Sequence, residues 1–226
     1  MSTASASEFG QQLARETRER FVQATDAAIG SAAQAVRERL VVLANETGTA
    51  RVMQENRDNL VAYRGAESGW VSLSRAQWRK AAGSVAVTEG AAVGGNSMRL
   101  ELVGDEVVEN NILSSRLALA IQDKANFELN DLRLRIQYLE GVEELRSGDV
   151  LKPDVLAKLL VDQWLASGMS RQLWGQVQGL LHAQLGEAAL KAYKEANAFL
   201  IGKGVMPEID LKRLVRKPAG GVASSG

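Results

Sequence analysis

Apolar residues recur at spacings of three and four through most of the second half of the chain, and this is the period of an amphipathic α-helix. A second, broken stripe follows another side of the clearest stretch, residues 105–141. Two stripes on one helix predict burial against more than one neighbour, so we expect this helix to lie centrally in a bundle. The first stripe comprises Leu113, Leu117, Ile121, Ala125, Leu129, Leu132, Ile136 and Leu139, and the second comprises Ile112, Leu119, Phe127, Leu134 and Tyr138.

Start and stop residues divide the rest of this half into three further helices. Pro153 suits a first helical turn, and Gly168 is expected to end the helix that it opens. Ser170 is the predicted N-cap of the next helix, which we expect Gly186 to break. The last helix is expected to end at the glycines and the proline of residues 202–207.

The first half of the chain also shows helical periodicity, in three segments. A long helix is predicted for residues 9–43, a second for residues 50–63, closed by Gly65, and a short helix with two indoles for residues 70–78. The charged runs of the first helix, which include Arg18, are interpreted as solvated faces.

The apolar pattern is lost between the two halves. Residues 83–103 are rich in glycine and small side chains, which predicts a flexible linker. We therefore divide the chain into an N-terminal helical layer (1–82), this linker, a C-terminal helical bundle (104–210) and a basic, then Gly/Ser-rich tail (211–226). The predicted fold is all-α, a multi-helix bundle of about seven helices with a Gly-rich internal linker.

An alanine stripe on the first helix, formed by Ala24, Ala28 and Ala32, permits another helix to approach closely. The approaching helix can belong to the bundle of the same chain or to a second protomer. A homodimer is therefore one of two interpretations of this stripe.

Composition narrows the functional classes. The 226 residues include 27 basic and 27 acidic side chains, so the net charge is zero, which argues against nucleic acid or an anionic membrane as partner. Cysteine is absent, which excludes disulfides and thiolate chemistry and fits a reducing cytoplasm. No apolar stretch approaches the roughly 20 residues that span a bilayer. We expect a cytoplasmic protein without a membrane span.

Candidate chemistry is sparse. His182 is the only histidine, so a metal site with several imidazoles has no second candidate, and we interpret it as an ordinary surface or inter-helix residue. The glycines of the linker lack the order of a phosphate-binding P-loop. The sequence predicts no catalytic residue, no metal site and no cofactor.

A basic cluster after the last helix is a candidate interaction element. Its residues are interleaved with apolar ones, a pattern that can dock on a partner, an anionic ligand or RNA. A solvated helix turn is the simpler explanation of the same pattern. The cluster consists of Lys212, Arg213, Arg216 and Lys217.

The last predicted helix resembles a known family. Residues 193–207 resemble the YxELNxLLIxxGVLP signature of the bacterial domain-of-unknown-function family 1631, and Tyr193, Glu195 and Asn197 are the candidate interaction residues within it. The stretch around Arg135 is similar to the family's ALNxRLxxLLG helix end, and residues 150–153 to its PLGP helix start. The resemblance is best over residues 103–209. It implies fold kinship and bacterial origin and transfers no catalytic residue.

Two functional hypotheses remain. The favoured one is a non-enzymatic regulatory or scaffolding protein that binds another bacterial protein or a copy of itself. The alternative is an enzyme or a nucleotide-responsive protein, for example one linked to cyclic dinucleotides, with His182, Arg135 or the basic tail in a site between helices. Members of the family are sometimes labelled thymidine phosphorylase, but this sequence offers neither a nucleoside cleft nor a phosphate site, so we do not expect that activity.

Overall fold

The computed structural model describes residues 3–84 and 105–209, and in these two ranges the chain forms five α-helices and no strand. The all-α class is thus confirmed. No helix in the described ranges combines the length and the apolar character needed to cross a bilayer. The helices are α1 (Thr3–Asn45), α2 (Ala50–Ser84), α3 (Asp105–Glu140), α4 (Pro153–Ala166) and α5 (Arg171–Gly202).

The predicted number of helices, about seven, is wrong because two glycines expected to end helices lie inside them. Gly65 lies within α2 and Gly186 within α5. The buried face of α2 continues in helical phase from Tyr63 to Trp70, and both side chains are fully buried. A helix-interior glycine costs about 1 kcal/mol, whereas burying one large apolar side chain contributes about 1.5–3 kcal/mol. Packing of the continuous face therefore outweighs the glycine.

Other glycines do end helices as predicted, and there the backbone has positive φ. Gly141, Gly168 and Gly204 follow α3, α4 and α5 with φ of 66°, 82° and 77°. A residue without Cβ adopts this conformation at little cost. Ser170 caps α5 as expected, because its side chain accepts a hydrogen bond from the backbone N–H of Leu173 at 3.1 Å.

One hydrophobic core joins all five helices. α1 packs along α2 and α5, and α3 packs along α5 and α4. The indole N–H groups of Trp70 and Trp78 donate to backbone carbonyls of α4, which ties α2 to that helix. Aromatic rings at the centre of the core form tilted or T-shaped pairs with centroids 5.1–6.5 Å apart; they belong to Tyr63, Trp70, Trp164 and Trp174.

The alanine stripe of α1 packs within its own chain. Ala32 is buried, and Ala28 lines a small cavity together with Trp78 of α2 and Leu117 of α3. The intramolecular interpretation thus accounts for these contacts, and formation of a homodimer stays a prediction.

The proposed domain division falls largely on residues outside the described ranges. Most of the predicted linker, residues 83–103, and all of the tail, residues 211–226, lie there. Helices from both predicted domains share the core, with α1 against α5 and α2 against α4. The division itself stays a prediction.

The close approach of α1 to α3 at Gly10 gives a direct test of this packing. A Cβ atom at Gly10 of α1 would lie 2.5 Å from the backbone carbonyl oxygen of Leu139 of α3, whereas a Cβ at Gly65 would meet no atom within 4 Å. We predict that Gly10→Ala lowers the free energy of unfolding by about 1–3 kcal/mol. Gly65→Ala should raise it by about 0.5–1 kcal/mol. Urea unfolding measures both, and a Gly10→Ala protein as stable as wild type would contradict the crossing.

Candidate functional site

The outer face of α3 carries large apolar side chains that the other described helices leave exposed. Phe127 is 86% exposed, Tyr138 69%, Leu119 57% and Ile112 45%. We call these four residues the outer face of α3. The expectation that the second stripe is buried against another neighbour is wrong for these four residues, whereas its fifth member, Leu134, is half-buried. Helix α3 does pack against three helices, α1, α4 and α5.

The outer face of α3 is the exposed side of a single helix, and its four residues do not line the cavity beside Ala28, the cleft beside residues 143–154 or the groove between α1 and α2. From Ile112 to Tyr138 it extends over 26 residue steps, about 39 Å along the helix axis, within an arc of about 100°. Scattered exposed apolar residues are ordinary, but several along one side of one helix are typical of an interaction surface.

Tyr193, the first residue of the family signature, lies inside the core. Its ring packs against Phe21 of α1 with centroids 4.7 Å apart, and its hydroxyl donates to the backbone carbonyl of Leu151 at 2.8 Å. Burial, with a smaller contribution from the charge of Asp149, raises the pKa of this hydroxyl well above its usual value. Tyr193 therefore joins α1, α5 and the α3–α4 connection, and it has no surface left for a partner.

Asn197, one turn further along α5, forms a separate buried network. Its side-chain oxygen accepts from Nη1 of Arg135 at 2.8 Å, and its amide nitrogen donates to the backbone and the carboxylate of Glu128 at 2.9 and 2.8 Å. Nη2 of Arg135 donates to the carbonyl of Met206 at 3.3 Å. Arg135, considered above as a possible ligand contact, thus joins α3, α5 and the turn that follows α5.

The remaining predicted interaction residues are not brought together with these two. Glu195 is exposed on α5, and its carboxylate lies 3.9 Å from the Lys191 ammonium. Such a solvated pair contributes little to stability. The basic cluster, Lys212, Arg213, Arg216 and Lys217, lies outside the described residues.

A buried ionic network centred on Arg18 joins α1 to both ends of the turn after α3. Arg18 is 1% exposed and Asp149 is 0% exposed. The guanidinium donates from Nε and Nη2 to the Asp149 carboxylate at 3.1 and 2.5 Å, and from Nη1 and Nη2 to Glu140 at 2.6 and 3.1 Å. Burial alone would lower the pKa of Arg18, but these hydrogen bonds and charges outweigh it and raise the pKa above its usual value. We call this set the Arg18 network.

The interpretation of Arg18 as a solvated charge is wrong, and the sequence did contain a signal against it. Arg18 lies four residues after Ala14 and three before Phe21, and both of these are buried. Helical phase therefore places its side chain on the inner face of α1. Its partner Asp149 lies in a turn without periodicity, where no such signal exists.

His182 is half-buried on α5, and its Nε2 makes no hydrogen bond within the described residues. Burial, and secondarily the charge of Arg116, lowers its pKa from the usual 6.5. No group of three or more His, Cys, Asp or Glu side chains in residues 3–84 and 105–209 could hold a metal ion. The described residues thus place His182 in no metal-binding or catalytic cluster.

The match to a family model covers most of the chain, residues 10–204, and the model is described as "Protein of unknown function (DUF1631) N-terminal domain". The chain belongs to this family. The resemblance seen around Tyr193 is confirmed, and it extends to α1 and α2. No curated protein and no solved structure matches the chain. The signature residues Tyr193 and Asn197 of this family member are contacts of the fold.

Removing the cation of the Arg18 network should be severely destabilising. We predict that Arg18→Ala lowers the free energy of unfolding by about 3–5 kcal/mol, because it leaves the Asp149 carboxylate buried and unpaired. The matched control is Arg15→Ala, which removes an exposed arginine that pairs with Glu19 at 3.4 Å and should cost at most about 1 kcal/mol. Denaturant unfolding measures both.

The same measurement on a double variant separates the charge from the packing. Arg18→Met combined with Asp149→Leu should be more stable than Arg18→Met alone, since the fully buried carboxylate is removed and only the part-buried Glu140 stays unpaired. Equal stability of the single and double variants would show that the unpaired Asp149 carboxylate does not cause the loss of stability.

The lowered pKa of His182 predicts a pH dependence of stability. The unfolded chain binds the proton more readily than the folded one, so the contribution of His182 is complete above the unfolded pKa of 6.5 and is lost as the pH falls below it. Unfolding experiments between about pH 7.5 and about pH 5.5 should show a smaller pH-dependent loss in His182→Gln than in wild type. Identical losses would contradict the assignment.

Proposed function

We propose that the protein is a non-enzymatic regulatory or scaffolding protein of the bacterial cytoplasm that works through protein–protein interaction. The outer face of α3, with Phe127 86% exposed, is the observation that carries this proposal. The lack of cysteine in the sequence fits the reducing compartment.

The contrast between this face and the tryptophans supports the proposal. All four indoles of the chain are buried, at 0–1% exposure: Trp70, Trp78, Trp164 and Trp174. The fold therefore has room for its largest apolar side chains, yet it leaves Phe127 and Tyr138 in solvent. Covering one such ring contributes about 1.5–3 kcal/mol, so a partner that covers the whole face gains substantial binding energy.

The shape of the outer face favours one kind of occupant, an amphipathic helix of another protein. A second helix can lie along α3 and pack its apolar side chains between those of Ile112, Leu119 and Phe127. A flat or globular ligand would contact only part of a line about 39 Å long. A second copy of this chain is the competing occupant, and the oligomeric state distinguishes it.

Charge substitutions on the outer face test the proposal without disturbing the core. We predict that Phe127→Glu and Leu119→Glu each fold normally and lose a specific partner that wild type binds, because a carboxylate cannot be buried against an apolar helix without a large desolvation cost. Val61→Glu is the matched control, since Val61 is 69% exposed on α2.

The measurement has two stages. Photo-crosslinking from position 127 identifies the partner, and calorimetry with the purified partner then gives its affinity for wild type and each variant. Binding that Phe127→Glu abolishes and Val61→Glu retains supports the proposal. Equal binding by all variants contradicts it, and crosslinks to the same chain with a dimer in light scattering replace the helical partner by a second copy.

A further inference from the structure

A groove between α1 and α2 is lined by more positively than negatively charged side chains, although the net charge of the whole chain is zero. It has a volume of about 710 Å³, and one carboxylate, that of Glu67, is among its lining residues. Since the whole chain has 27 basic and 27 acidic residues, this excess is local. We call this feature the basic groove, and its four cations are Arg37, Arg64, Arg75 and Arg79.

A second large cleft in the described residues shows no such excess of positive charge. It lies between α3 and residues 143–154 and has a volume of about 600 Å³. The two cations that line it, Arg133 and Lys152, face three carboxylates, those of Glu143, Glu144 and Asp154. The excess of cations among the lining residues thus distinguishes the basic groove from this cleft.

Arg75 is held in a fixed orientation at the edge of this groove. Its Nε and Nη2 donate to the backbone carbonyl of Asp26 on α1 at 3.1 and 2.9 Å. Nη1 makes no hydrogen bond within the part of the chain that the structure describes, so this side of the guanidinium is available to a ligand. A donor that is already oriented binds with a smaller loss of side-chain entropy.

Gly30 provides the space that this orientation needs. A Cβ atom at this position would lie 3.1 Å from Nη2 of Arg75. Glycine inside a helix costs about 0.5–1 kcal/mol relative to alanine. Helix α1 thus has a glycine, which lowers helix stability, at the position where any other side chain would press against the Arg75 guanidinium.

The other three arginines differ in how far they are engaged. Arg37 bonds to Glu67 at 3.3 Å, and Arg79 pairs with the carboxylate of Asp26. Arg64 is exposed and has no ion pair or hydrogen bond within residues 3–84 and 105–209. It lies 11 residues before Arg75, about 16 Å along α2.

We propose that the basic groove binds a small anion that carries two or more phosphate groups, with Arg64 and Arg75 as separate phosphate contacts. A guanidinium matches the geometry of a phosphate and can bind it through two parallel hydrogen bonds. The volume of the groove lies in the range of small-molecule sites, about 300–1,000 Å³. A ligand with several phosphates can neutralise the separated cations, whereas a single monoanionic group cannot. The site does not depend on the outer face of α3.

The hydroxyls in the groove support a phosphate rather than a purely electrostatic site. Ser68 and Ser72 line it one helical turn apart on α2, between the positions of Arg64 and Arg75. Their O–H groups can donate to phosphate oxygens and give the site a preference beyond charge.

Calorimetry on the full chain tests the proposal with tripolyphosphate, orthophosphate and the peptide triglutamate as probes. We expect tripolyphosphate to bind about tenfold or more tightly than orthophosphate and than triglutamate. Failure of tripolyphosphate to bind at concentrations up to about 10 mM would overturn the proposal, because a dissociation constant above that concentration is too large for a specific site. Triglutamate binding as tight as that of tripolyphosphate would show a site for negative charge alone and overturn the phosphate assignment.

Variants locate the binding. Arg64→Gln and Arg75→Gln should each weaken tripolyphosphate binding about tenfold, while Arg15→Gln, which removes an arginine of α1 outside the groove, should leave it unchanged. Arg75→Lys retains the positive charge but loses the two parallel hydrogen bonds of a guanidinium, so it should also weaken binding. Gly30→Ala should weaken binding with an unchanged circular dichroism spectrum. Equal weakening by Arg15→Gln and Arg64→Gln would assign the effect to net charge and refute the site.

Discussion

The Arg18 network is the constraint on which the rest of the fold depends. A single guanidinium holds the last residue of α3, Glu140, and the turn residue Asp149 against α1. Oδ1 of Asp149, which accepts from Nε of Arg18, also accepts from the backbone N–H of Leu151 at 3.0 Å. Desolvation offsets much of the energy of such a buried pair, so its main consequence here is geometric: it fixes where the chain runs between α3 and α4.

The position of that connection then determines how α3 and α5 pack. The Leu151 carbonyl receives the Tyr193 hydroxyl, and Arg135 bonds to Asn197 one turn further along. At the opposite end Arg171 of α5 donates to the side chain of Asn110 on α3 at 2.7 Å. These contacts lock the rotation of α3 about its axis. The first stripe of α3 is thereby turned towards the core, and the outer face of α3 is turned to solvent by the same contacts.

Sequence periodicity predicted the helices well and their continuity poorly. The starts at Pro153 and Ser170 and the end before Gly141 were predictable, because local backbone preferences decide them. Whether Gly65 or Gly186 ends a helix depends instead on packing. A Cβ at Gly186 would lie 3.2 Å from the side chain of Lys124, so that glycine permits a close contact with α3. Helical phase carried through each glycine would have identified both as interior.

Periodicity also identifies an apolar face without showing whether a neighbour covers it. The spacing of the second stripe of α3 shows that it is apolar, but four of its five residues are exposed, since the number of helices available to cover it is a tertiary property. Likewise, a net charge of zero does not show where the charges lie on the surface. The basic groove forms only when Arg37 of α1 comes to lie beside the arginines of α2.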